Sequence, residues 1–209
     1  MSPMDALERD IGALGIAIAP GEWAALRADL AEAAFPAGAV ISSQARISEH
    51  WVFLSAGIAA SEQAAPDGTA TIARFFEAGQ FCANLTSVWR RTIASDDLLA
   101  ITDVAGVFVP DRIFRPAYLR GGAFGEYLRL KAMEAMLFDK DLICAKTSPS
   151  TEARLRFLEE RHRDVVRRTP QKHLARFIGI TPQGLSRFLR NRRAPAAPAT
   201  SSTPPARAG

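Results

Sequence analysis

The residues best equipped for chemistry lie near the end of the chain, where Gln183, Ser186, Arg187 and Arg190 fall three or four apart, on one side of an expected helix. Amide, hydroxyl and guanidinium groups hydrogen-bond base edges and phosphates, so this set is suited to binding a polyanion. Leu185, Phe188 and Leu189 take the opposite side. The helix that carries them is the second of a pair within Pro170 to Arg193. In the first, about Gln171 to Ile178, Leu174, Ala175 and Ile178 share one apolar face. Gly179 can close it in the left-handed conformation while Ile180 tucks back against it. Thr181 can then cap the second helix, with Pro182 at its first position. A small residue at Ala175, a glycine four later and apolar residues at Leu185 and Phe188 match helix-turn-helix spacing.

An ordinary structural pair of helices would show the same apolar pattern, but charge separates the readings. From Thr151 to Arg193 there are twelve Arg or Lys against four Asp or Glu, whereas residues 1–150 hold thirteen against eighteen. A front part of −5 and a back part of +8 fits a chain that meets a polyanion at one end. A protein-interaction or small-molecule-binding module whose basic end contacts an acidic partner remains the alternative. No GxSxG, Walker loop, metal-spaced histidine cluster or cysteine with a basic partner occurs, so no enzyme is expected.

The rest of the chain must position these residues. Its 209 residues, 48% hydrophobic, suffice for one large or two small domains. Neither a membrane span nor a secretory signal is evident, so a cytoplasmic protein is expected. Cys82 and Cys144 have no CxxC spacing and read as reduced interior thiols. Residues 1–19 are weakly patterned. Pro20 opens a helix with Trp23, Leu26, Leu30 and Ala33 at helical spacing, ending near Phe35-Pro36. Short apolar runs then follow at Val40-Ile41, Trp51 to Leu54, Ile72 to Phe76, Leu98 to Ile101 and Val107 to Val109. Separated by glycine turns, they predict a β-sandwich or β-roll, with a hairpin around Asp67-Gly68. A helix over Asp111 to Arg120 leads through Gly121-Gly122 into a long one, about Ala123 to Ala145. Its stripe of Leu130, Met133 and Leu137, edged by Leu128, Ala132 and Met136, is wide enough to cover its own domain and pair with a second copy. Thr147 to Ser150 reads as a hinge with Ser150 or Thr151 capping the next helix, and the Pro- and Ala-rich tail from Ala194 as disordered.

The predicted fold class is therefore α+β, with domains at 1–122 (β-roll with flanking helices), 123–147 (dimerisation helix), 148–193 (helix-turn-helix) and 194–209 (tail). This order resembles the Crp/Fnr family of bacterial transcription regulators. Phe35-Pro36-Ala37-Gly38-Ala39-Val40-Ile41, Phe53-Leu54-Ser55-Ala56-Gly57, and Arg168-Thr169-Pro170 through Arg190 carry the likeness. The resemblance implies a cyclic-nucleotide-binding-like double-stranded β-helix, a homodimer, an inverted repeat in double-stranded DNA, and RNA polymerase as a partner. Gln183 and Arg187 are expected on base edges; Thr181, Ser186, Arg190, Lys172 and Arg176 on phosphates; and Gly184 within the DNA-binding surface. Any β-wing must precede the helix pair or be missing.

By the same resemblance, Gly79 to Ser95 occupies the phosphate-binding cassette, with Ala83, Asn84, Arg90, Arg91, Thr92 and Ser95 as ligand candidates. Ala83-Asn84 stands where Gly-Glu belongs, and Ala94-Ser95 where Arg-Ser belongs. A ring phosphate without its guanidinium forfeits ~1.5–3 kcal/mol, so a cyclic nucleotide is disfavoured and no cofactor is expected. Two cysteines cannot supply the four ligands of the family's iron-sulfur branch. His50, His162 and His173 lack spacing for haem, and His173 is expected on phosphate or solvent.

Overall fold

The computed structural model describes residues 1–64 and 69–193. The predicted hairpin turn at Asp67-Gly68 and the predicted disordered tail from Ala194 lie outside them.

Helix α1 (Pro3–Ala13) occupies part of the weakly patterned N-terminus. Its start is fixed by a capping box, in which Ser2 and Asp5 bond each other's backbone N–H, and by Pro3 in the first turn. Met4, Leu7 and Ile11 form its buried stripe. Helix α2 (Pro20–Ala28) buries Trp23 but ends seven residues before Phe35. Ala31–Phe35 is instead strand β1. Alanine-rich sequence favours helix, but here an antiparallel ladder from Ala31 opposite Phe108 to Phe35 opposite Val104 decides the conformation.

Seven further strands follow: β2 (Val40–Ser42), β3 (His50–Ala56), β4 (Ile58–Ala64), β5 (Ala70–Glu77), β6 (Phe81–Cys82), β7 (Asp97–Ala100) and β8 (Val104–Pro110). They make two antiparallel sheets, ordered β1-β8-β3-β6 and β2-β7-β4-β5. The apolar runs each fall in a strand, save that Leu98 to Ile101 runs one residue past β7, and the expected hairpin is β4 paired with β5. Gly57, at φ +91°, turns the chain between β3 and β4, and a Cβ there would sit 2.2 Å from the Asp103 carbonyl oxygen. Between the sheets lie Val52, Leu54, Ala59, Phe76, Cys82, Leu98, Ala100 and Val104.

Helix α3 (Leu85–Arg90) sits between β6 and β7. Beyond Pro110 the described residues 111–193 contain helices and no strand, hence no β-wing. Helix α4 (Asp111–Arg120) packs against α5 (Ala123–Thr147) so closely that a Cβ on Gly125 would meet the Ala117 carbonyl oxygen at 2.1 Å. Phe124, Tyr127 and Leu128 at the start of α5 join α1, Trp23, Trp51 and Phe114 in a second cluster. Helices α6 (Thr151–Arg161), capped by Ser150, and α7 (Arg163–Arg168) lead to α8 (Gln171–Ile178) and α9 (Pro182–Arg193). A third cluster joins Ile58, Ala60, Ile72 and Phe75 of the roll to Phe157, Leu158, Leu174, Phe177, Ile178 and Leu185 of these helices. The basic C-terminal part is thus seated directly on the β4–β5 hairpin.

Candidate functional site

The C-terminal helix pair is built by short-range forces. Gly179 takes φ +80°, and the N–H groups of Gly179 and Ile180 both donate to the Ala175 carbonyl, ending α8. The Thr181 hydroxyl accepts from the Gly184 N–H at 3.0 Å, starting α9 behind Pro182. Ala175 and Leu185 are fully buried between the helices. On the outer side of α9, Gln183, Ser186, Arg187 and Arg190 are all exposed, while Gly184, Phe188 and Leu189 are half-buried.

Among the described residues, Lys172, Arg187 and Arg190 make no ion pair. Arg192, by contrast, is tied to Glu159 by two hydrogen bonds of 2.8 and 3.0 Å and to Glu152 at 3.3 Å, anchoring the end of α9 on α6. Arg176 is also engaged: its guanidinium is ion-paired with Glu62 of β4. His173, expected on phosphate or solvent, is half-buried with Nδ1 in the interior. Its pKa is lowered chiefly by burial, then by Lys172 and Arg176.

The other histidines follow their surroundings. His162 is buried, its Nδ1 hydrogen-bonded to Glu77 of the roll and its ring between those of Phe138 and Phe157. His50 is exposed with its ring edge-on to Phe108. Of the cysteines, both expected in the interior, Cys82 is buried and burial pushes its thiol up, but Cys144 is exposed on α5. The face of α5 that carries it points away from the roll.

A cavity of about 700 Å³ lies between the roll, α3, α4 and α5. One part of its wall is aromatic, with Trp51, Phe81, Trp89, Phe114 and Tyr118; another holds Ser61, Arg74, Asp96 and Asp139. Of the ligand candidates read from sequence, Ala83 and Arg90 line it. Asn84 is buried beside it, donating to Ser42 Oγ at 3.3 Å and to the Asp96 carbonyl at 3.0 Å. Arg91 is turned away to Asp111 at 2.9 Å, the carboxylate that also holds Arg115 and the Trp51 indole N–H. Thr92 offers its carbonyl to the Ser87 hydroxyl at 2.6 Å, and exposed Ser95 donates to Asp96 at 3.0 Å.

The residues missed were Arg74, Asp96, Lys131 and Asp139. Arg74 bonds Asp139 at 2.6 Å with its guanidinium 4.8 Å from both the Phe76 and Phe138 rings. Burial lowers its pKa, and Asp139 partly restores it. A bulge puts Ile72 opposite Glu62 and Arg74 opposite Ser61, so strict alternation along β5 fails at the place where Arg74 turns toward the cavity. No sequence spacing marks that break. A helix-face reading of α5 could have flagged Lys131 and Asp139, one of each charge, on the side opposite the bare stripe.

No family model matches the chain, and no curated protein matches it. Solved structures do. FixK2 from Bradyrhizobium japonicum superposes with a TM-score of 0.64 at 16% identity, over 78% of this chain and 83% of that one. A protein described as a transcriptional regulator of the Crp/Fnr family, from Eubacterium rectale, gives 0.58 at 13%, over 83% of each chain. A cyclic nucleotide-binding domain from Methylobacillus flagellatus gives 0.54 at 12%, over 70% of this chain and 85% of that one. The chain shares its fold with these proteins. At such identities the likeness is one of architecture, and it extends to the mixed helix and antiparallel-sheet arrangement of the cyclic-nucleotide-binding β-roll. Among the described residues no helix is long and apolar enough to cross a membrane, and no group of three or more His, Cys, Asp or Glu is placed to hold a metal ion.

Proposed function

We propose that this protein is a sequence-specific, DNA-binding transcription regulator of the Crp/Fnr type, a homodimer whose α9 helices read an inverted repeat. The exposed face of α9 supports this most directly: Gln183, Ser186, Arg187 and Arg190 project from a helix anchored on its other side by Leu185, with no carboxylate on Arg187 or Arg190 among the described residues. Gln183 and Arg187 are assigned to base edges, with adenine and guanine as their preferred partners. Thr181, Ser186, Arg190 and Lys172 are assigned to phosphates, beside Gly184, and Arg176 joins them only when its ion pair with Glu62 opens.

The bare face of α5 supports the dimer: Leu130, Met133, Leu137 and Ile143 are 41 to 62% exposed. Two copies joined along it would present their α9 helices about 34 Å apart, one turn of DNA. The opposite face of the same helix floors the cavity, so an occupant there touches the element that joins the copies. RNA polymerase and a cytoplasmic location belong to this reading, which is of a regulator and not an enzyme.

Selection from random duplex DNA tests it, with enrichment of an inverted repeat of half-sites about 10 bp apart as the expected outcome. On that site Arg187→Ala should cost ~1–3 kcal/mol while leaving affinity for random duplex nearly unchanged. Equal loss on both would assign Arg187 to phosphate, and no enriched repeat would favour an acidic protein partner instead.

A further inference from the structure

The charges in the cavity are unequally matched, and that inequality bears on what enters it. Two of its cations are already neutralised by carboxylates: Arg74 by Asp139 at 2.6 Å, and Lys131 by Asp10 at 3.2 Å and Glu134 at 3.1 Å. Asp96 has the opposite status. Half-buried in the cavity wall, it accepts hydrogen bonds from the hydroxyls of Ser61 and Ser95, and among the described residues it makes no ion pair, although Arg74 lines the same part of the wall. The one cationic lining residue without a carboxylate there, Arg90, is exposed at the end of α3, where water screens it.

A phosphate entering this space would meet the Asp96 carboxylate, and Arg74, which already bonds Asp139 through Nη1, would offer it a buried Nε–H without a partner among the described residues. A protonated amine would find in Asp96 an acceptor with lone pairs to spare. The remaining wall asks for a flat apolar body, since Trp51, Phe81, Trp89 and Tyr118 line it, with the Arg115 guanidinium already 4.5 Å from the centre of the Trp89 ring. The volume of about 700 Å³ is that of a site for a small organic molecule.

We propose that the cavity binds an aromatic amine: a body of two or three rings seated against the tryptophan wall, with its protonated nitrogen hydrogen-bonded to the Asp96 carboxylate. The assignment rests on reading the β-roll as the sensing part of the molecule, and it specifies the chemistry sensed.

Titration calorimetry on the full chain, without DNA, tests it with one ring system carrying three heads: tryptamine, indole and indole-3-acetate, with 3′,5′-cyclic AMP as the phosphate comparison. Tryptamine should bind roughly tenfold or more tightly than indole-3-acetate, with indole between them and no heat from the cyclic nucleotide. Asp96→Asn should erase the preference for the amine. Ala135→Trp, which adds bulk to the cavity from α5, should abolish tryptamine binding, and this variant together with the wild-type order of the three indoles decides the matter if the Asn variant does not fold. Tighter binding of the acetate or the cyclic nucleotide, silence from all three indoles, or an unchanged order in the Asn variant would each overturn the proposal. Because no DNA is present, failure here leaves the assignment of α9 standing, and failure of the DNA selection leaves this one standing.

Discussion

Lys146 shows how one side chain ties the C-terminal helices to the roll. Its ammonium donates to the Ile72 carbonyl at 2.6 Å and lies 4.6 Å from the centre of the Phe177 ring. Burial brings its pKa down from 10.5 to about 8. Between those values the unfolded chain holds more protons than the folded one, so this residue's contribution to stability rises with pH across that window. Reductive ¹³C-methylation followed by NMR titration should show one lysine titrating near 8. The melting temperature of the wild type should also rise relative to Lys146→Met over the same interval, and a titration at the ordinary value would refute the burial. Gly57 is the other residue whose identity is dictated by space. With φ +91° and the Asp103 carbonyl oxygen 2.2 Å from any added Cβ, Gly57→Ala should cost more than ~2 kcal/mol in urea unfolding.

Among the elements, α5 has two faces under different demands. One covers the cavity through Leu128, Lys131, Ala135 and Phe138, and the other leaves Leu137 59% exposed with Met133 and Ile143. A glutamate at position 137 fits a helix and disturbs nothing buried. Leu137→Glu should therefore leave the far-ultraviolet circular dichroism and melting temperature of the monomer unchanged, yet shift sedimentation from dimer to monomer. Persistence of the dimer would place its interface elsewhere. The C-terminal pair was legible at this scale because its determinants are local: the Gly179 turn, the Thr181 cap and the apolar spacing all act within a few residues. Ala31–Phe35 was not legible, because its ladder partner, Val104–Pro110, lies about seventy residues away and an alanine-rich segment carries no alternation to signal it.

For the molecule as a whole, the notable arrangement is the seating of a basic unit on an acidic one. Phe75 meets Phe177 at 5.4 Å between ring centres, Glu62 holds Arg176, and Glu77 holds His162. Glu62→Gln should remove up to ~1 kcal/mol of stability, a small loss because Arg176 is 39% exposed. If the freed guanidinium then reaches a phosphate, the slope of log K against log salt for duplex DNA should steepen by about 0.9. An unchanged slope would confine Arg176 to its structural ion pair.

The sequence by itself determined the local devices and the composition of each part: the helix pair with its polar outer face, the long helix with its surplus apolar stripe, the apolar runs of the roll, and the reversal of charge from front to back. These follow from nearest-neighbour sterics, capping and hydrophobic periodicity, which act over one or two turns. Only the tertiary structure decided which cations stay unpaired. Arg176, Arg74 and Lys131 look no different in sequence from Arg187, but Glu62, Asp139 and Asp10 reach them from elements far along the chain, and an ion pair is fixed by distance in space.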